Sequence, residues 1–281
     1  MSLVVCGISP SINAAYQSKA KGIGVRIQSI YNKLNGLEPW IVEALVRQSV
    51  QKAQSLIEQL RGELPALLDG YRVKILDGNH LAATEHRLEV LRRVGSAPLP
   101  GHALVILDPA LMLAIDVFAC EDGHTQERAL LSRVLATVLS RDLWIADRNF
   151  CTLGFLFGVQ ARGGSFVMRQ HGNLPWQALS ELTTTGKNET GVVLEQSIQL
   201  TLNQSLRLTL RRIVVRLKQP TRDGDLEIAI LSNLPVSDAT ALKVAALYQK
   251  RWRVERLFQV LDQCFRGEIN TLAYPRAALF G

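Results

Sequence analysis

The sequence predicts an α/β protein, in which a mixed sheet with crossover helices follows a helical N-terminal region and is joined by an antiparallel β-rich insertion. Three observations carry this expectation. Between residues 71 and 170, short apolar runs alternate with helical patterns. Residues 192–217 follow a period of two. From Val236 to Cys264 there is neither Gly nor Pro, and apolar residues recur at spacings of 3 and 4.

Taken in order, residues 1–70 read as helical. Val25–Leu34 forms one helix, Asn35-Gly36 a turn, and Pro39 opens a second helix that runs to about Leu60. Two helices around a short turn fit a DNA-contacting helix-turn-helix unit, and fit a helical packing layer equally well.

Residues 71–170 form the first part of the sheet. Val73–Gly78 is a strand carrying Asp77 near its end. Ala103–Leu107 and Leu111–Phe118 pair as a hairpin around Asp108-Pro109. Glu127–Leu139 is an amphipathic helix, Leu143–Ala146 a strand that runs into Asp147, Leu153–Val159 a helix and Ser165–Met168 a fifth strand.

Residues 171–235 form the β-rich insertion. Apolar residues hold even positions from Val192 to Leu210, across a break at Asn203-Gln204-Ser205, and then move to odd positions at Ile213, Val215 and Leu217. A one-residue change of phase predicts a β-bulge near Arg211-Arg212. Asp223-Gly224 signals a hairpin into a strand at Leu226–Ile230. Arg207, Arg211, Arg212, Arg216, Lys218 and Arg222 lie in a stretch without acidic residues, which suits either a solvated face or a polyphosphate contact.

Residues 236–281 contribute the long helix, with Ser237 or Asp238 as its cap and Gly267 as its end. On that helix Tyr248, Arg251, Glu255 and Asp262 share a narrow arc. A glutamate on a basic helix is ordinarily a solvated partner in an i,i+4 pair.

Composition narrows the function classes. Net charge is +7, from 32 basic and 25 acidic residues, and favours a polyanionic partner, nucleic acid first. No apolar run reaches the ~18–20 residues of a membrane span, and Met1–Pro10 lacks the basic start of a signal peptide. A cytoplasmic location is therefore expected. Cys6, Cys120, Cys151 and Cys264 are scattered, which fits buried thiols better than disulfides or a zinc site. The five histidines show no ligand spacing.

Two aspartates at the ends of apolar strands, with a glutamate on a helix packed across the sheet, can converge. Three carboxylates at one point repel each other unless a cation joins them. Oxygen-only ligands suit Mg²⁺ or Mn²⁺, and two such ions ~3.5–4 Å apart serve phosphodiester chemistry. For either aspartate alone, a turn or cap role is the ordinary alternative.

These residues carry a resemblance. Asp77 in ILDGNHL, Asp147 in IADRNF, and Tyr248, Arg251 and Glu255 in YQKRWRVERLF resemble the signatures of the IS4 family of DDE transposases. The resemblance implies an RNase H-like core with a β-rich insertion between the second Asp and the Glu. It implies that Asp77, Asp147 and Glu255 are catalytic and hold two Mg²⁺ or Mn²⁺ ions. It implies DNA contacts at Tyr248, Arg251 and Arg148, with Arg253, Arg211 and Arg212 as further candidates. The partners implied are transposon terminal repeats and target DNA, with a homodimer on the paired ends. The chain departs from the family at Asp262, where a Lys is usual, and its C-terminus is expected to be truncated. A truncated, inactive relative that binds DNA or partner subunits, and an RNase H-like nuclease without strand transfer, are the alternatives.

Overall fold

The computed structural model describes residues 8–9, 12–36, 38–80, 102–120, 126–221 and 223–251. Glu255, Arg253, Asp262 and Arg222 lie outside them, as does Gly267, the expected helix end; the described helix of that region closes at Gln249 with Lys250 as its C-cap.

Helices α1 (Ile12–Lys19), α2 (Ile27–Asn35) and α3 (Pro39–Gln59) build the N-terminal region, with Pro39 in the first turn of α3 as its fixed φ favours. Strand β1 (Arg72–His80) is central, and β2 (His102–Asp108) and β3 (Leu113–Cys120) add to it as an antiparallel meander. A 3₁₀ turn (Glu127–Leu130) and α4 (Leu131–Leu135) lead to β4 (Asp142–Ala146), which pairs parallel to β1. A second 3₁₀ turn (Arg148–Phe150) and α5 (Leu153–Ala161) lead to β5 (Ser165–Arg169), parallel to β4.

The β-rich segment continues this sheet. Its strands are β6 (Gln177–Ala178), β7 (Thr183–Lys187), β8 (Gly191–Leu202), β9 (Leu206–Leu217) and β10 (Glu227–Ser232), and β10 pairs with β5. The strand order is β3-β2-β1-β4-β5-β10-β9-β8-β6, with β7 on β8. This is a mixed α/β architecture consistent with an RNase H-like core. Helix α6 (Ala241–Gln249) lies on one face.

Each face has its own core. Leu76, Leu104, Phe118, Trp144, Ala146, Phe166 and Met168 pack against α4 and α5. Val73, Ile75, Leu143, Ile145, Val167 and Ile230 pack against Val244, Leu247 and Tyr248 of α6. Alternation along each strand assigns neighbours in sequence to opposite cores.

Three local expectations are corrected. The bulge expected in β9 does not exist: the β8–β9 and β9–β10 registers run without a shift. Leu208 and Leu210 belong to the core of α5, and Ile213 and Val215 to the core of α6. The phase changes because cover passes from one face to the other along a regular strand. The bulge of the central meander lies instead between β2 and β3, at Ile106/Leu107. Secondly, the helix expected over Glu127–Leu139 stops at Leu135, because the Asp142 carboxylate accepts from the Leu139 amide at 2.8 Å and turns the chain into β4. Thirdly, the cap of α6 is Thr240, whose hydroxyl accepts from the Lys243 amide. Asp238 instead accepts from the Tyr71 hydroxyl at 2.6 Å.

The N-terminal helices are anchored by one buried acid. Glu43 on α3, 2% exposed, accepts from Arg133 and from the Ala119 amide of β3. Arg47, one turn on, pairs with Asp116 at 2.8 Å.

Candidate active site

The parallel register of β1 and β4 places Leu76 level with Ala146. One residue further, Asp77 and Asp147 therefore stand side by side past the last rung of the β1–β4 ladder. Asp147 follows the end of β4, but Asp77 does not end its strand as expected, because β1 continues to His80 in antiparallel pairing with β2. Both continue the odd-numbered series, Val73-Ile75 and Leu143-Ile145, that faces α6. Both carboxylates thus share the face on which the last described helix packs.

That helix, with the turn that follows it, brings two partners. The Arg251 guanidinium donates to Asp77 at 3.1 Å, and both side chains are nearly buried. The Tyr248 hydroxyl donates to Asp147 at 3.5 Å. Arg251 also lies over the Tyr248 ring, 6.0 Å from its centroid. Burial pushes the Tyr248 phenol up to about 12, with Arg251 pulling it down and Asp147 adding to the rise. The phenol is therefore a proton donor at any ordinary pH.

The cap role weighed for Asp147 is not what the fold uses. Asp147 sits at the start of the second 3₁₀ turn, and its side chain makes no capping bond there. Asp77 accepts from the amide of its neighbour Gly78 as well as from Arg251.

A third strand end completes the row. Ala146 is level with Met168, so Arg169 of β5 stands beside Asp147 on the same face. Arg169 pairs with Asp225 at 2.5 Å, and its charge also acts on the Tyr248 phenol. The sequence carries a signal for Arg169, a charged residue closing the apolar strand β5, although its sign is opposite to that of the aspartates.

The other expected DNA contacts separate in space. Arg148, next to Asp147, is exposed. Arg212 donates to Gln170 at 2.7 Å and stacks on Trp176 at 4.9 Å, and burial lowers its pKa. Arg211 is turned inward: it pairs with Glu195 at 2.5 Å and donates to the carbonyls of Leu234 and Ala239. Its Nη1 bonds tie the connection between β10 and α6, while its Nη2 is buried without a hydrogen-bond partner among the described residues. The view of six cations without counter-charge is corrected too, because Arg211 meets Glu195 and Arg216 meets Glu227 across the strands. A linear sequence hides partners on adjacent strands, directly opposite as Arg216 and Glu227 or diagonal as Arg211 and Glu195.

Two hard carboxylates side by side on adjacent strands have the donor chemistry that Mg²⁺ or Mn²⁺ takes. Among the described residues no group of three or more His, Cys, Asp or Glu is placed to hold a metal ion. The third acid expected from the sequence, Glu255, lies four residues past Arg251 and outside the described residues.

The transposase DDE domain matches residues 68–279, most of the chain. The chain belongs to the DDE transposase domain family. The match begins just before β1 and takes in every strand of the sheet as well as α6. A DDE transposase domain acts on DNA, and its family generally works with divalent metal ions. No curated protein matches the chain. Among the described residues no helix is long and apolar enough to cross a membrane.

Proposed function

We propose that this DDE transposase domain is the catalytic part of an IS4-like insertion-sequence transposase, which cleaves DNA at the ends of its element and joins the freed strand to target DNA. The observation that carries the reading is the convergence of α6 and the turn after it on the two aspartates, with Arg251 on Asp77 and Tyr248 on Asp147.

In this reading Asp77 and Asp147, with Glu255, are the catalytic acids and supply the oxygen ligands of two Mg²⁺ or Mn²⁺ ions. When bound, such ions supply Lewis-acid activation of the attacking and leaving oxygens. The chain's own groups do the rest. The protonated Tyr248 hydroxyl holds Asp147 in place. Arg251 balances the Asp77 charge and offers a planar donor pair to a DNA phosphate. Arg148, exposed beside Asp147, and Arg253 and Arg212 extend the cationic path for the strand. Buried flanks of α6 and β5 limit water around the carboxylates, which strengthens their hold on a cation.

The partners are transposon terminal repeats and target DNA, bound by a homodimer on the paired ends, in the cytoplasm and on the nucleoid. The test is incubation of the full chain with DNA carrying the element's ends and Mg²⁺ or Mn²⁺. Joined product is the expected result. Cleavage without joining indicates a hydrolytic nuclease, and binding without cleavage an inactive relative. Either outcome overturns the proposal.

A further inference from the structure

On the reverse side of the sheet, behind the two aspartates, a second acid occupies a place that the reaction as described leaves without a role. Glu127 opens the 3₁₀ turn after β3, whose Leu130 packs in the core opposite α6. Its carboxylate lies against Gly78, the residue after Asp77, so closely that a Cβ at position 78 would overlap it. The same carboxylate accepts from the Asn149 side-chain amide at 2.6 Å. Asn149 is two residues after Asp147. Its other polar groups are held as well, since Arg128 Nε donates to the Asn149 carbonyl at 2.7 Å and to its Oδ1 at 3.2 Å.

Strand β1 and the turn after β4 have no main-chain ladder between them beyond Leu76 and Ala146. Past that pair, Glu127 is a link that touches both: it abuts the backbone beside Asp77 and bonds the turn that begins at Asp147. Alternation points Gly78 away from α6, so Glu127 approaches from behind the carboxylates.

We infer that Glu127 is a positioning residue for the aspartate pair, bracing Gly78 and holding Asn149 so that Asp77 and Asp147 keep a fixed separation. The inference rests on the reading of Asp77 and Asp147 as a cation-binding pair. Outer groups that orient ligands commonly change metal affinity by about 10–100-fold when removed.

The test uses the full chain and Mn²⁺ alone. Glu127→Gln keeps an oxygen that accepts from Asn149, and Glu127→Ala removes it. Mn²⁺ affinity is read by calorimetry, and amide hydrogen exchange over residues 147–151 is read without metal. The expected result is about 10–100-fold weaker Mn²⁺ binding and faster exchange over 147–151 in Glu127→Ala, with Glu127→Gln within about 3-fold of the parent. Unchanged exchange in Glu127→Ala overturns the brace. Equal damage by Gln and Ala to Mn²⁺ binding, with exchange intact, overturns it in favour of a direct role for the charge. Should the parent bind no Mn²⁺, the transposase reading fails, and the exchange comparison alone decides the brace. Should Glu127→Ala not fold, Asn149→Ala serves in its place: it must show the same exchange and Mn²⁺ changes, and parental values in both sink the idea.

Discussion

Arg251 and Asp77 meet at 3.1 Å although 174 residues of chain separate them. Asp77 lies within β1, just past its ladder with β4, and Arg251 in the turn after α6, with the guanidinium 10% and the carboxylate 15% exposed. At that burial each charge depends on the other, because an uncompensated charge in a poorly solvated place is costly.

Asp77→Ala therefore has two effects. DNA-end cleavage falls by about 100-fold or more, beyond the loss expected for an outer-sphere group. Stability to urea falls by about 3–5 kcal/mol, since Arg251 stays buried without its carboxylate. Asp77→Asn separates the two, with cleavage lost as before and a smaller drop in stability. Cleavage by Asp77→Ala at the parental rate would falsify the assignment of Asp77.

Tyr248 links the site to alkaline pH. Its folded pKa is about 12 and is raised by burial, whereas an unfolded tyrosine titrates near 10. The sign follows: the unfolded chain loses its proton first, so stability is full below about pH 10 and falls as pH rises toward 12. The loss is on the order of 2–3 kcal/mol. Tyr248→Phe is expected to flatten this part of the pH–stability curve, followed by denaturation at several pH values. A slope unchanged by the substitution would reject the buried phenol as its source.

Asp142 anchors the opposite ends of the same strands. It is fully buried and pairs with Arg72 at 2.9 Å and Lys74 at 2.8 Å. It also accepts from the Leu139 amide. Asp142→Ala is expected to cost about 3–5 kcal/mol in urea titration. A loss below about 1 kcal/mol would show that the network contributes little.

Arg148 and Arg211 should separate by their response to salt. Arg148→Ala is expected to reduce the slope of log binding constant against log salt by about 1 on DNA, with stability unchanged. Arg211→Ala should leave that slope alone and lower the denaturation midpoint, because it removes the Glu195 pair and the bonds to Leu234 and Ala239. Fluorescence anisotropy over a salt series checks the first, and thermal denaturation the second. Reversed results would place Arg211 on the DNA path and remove Arg148 from it.

Much of this was legible beforehand. Strands β1, β4 and β5 show as short apolar runs, and the Pro39 start of α3 as a proline before a long periodic stretch, because these signals are local. The partners of Glu43 were not legible, since Arg133 and Ala119 come from distant elements. The bulge expected near Arg211 is absent for a similar reason. A hydrophobic phase change has two physical causes, an inserted residue or a change in which face is covered, and only the packing of α5 and α6 distinguishes them.

By itself the sequence determined the class of fold, the apolar strands that carry or run into the two aspartates, and a helix that carries Tyr248. It could do so because period and strand length are properties of neighbouring residues. Only the tertiary structure decided that both aspartates face α6, that Arg169 joins their row, and that Glu127 stands behind them. Those relations depend on the parallel register of β1, β4 and β5 and on which helix covers which face, and long-range pairing leaves no mark on a short stretch of chain.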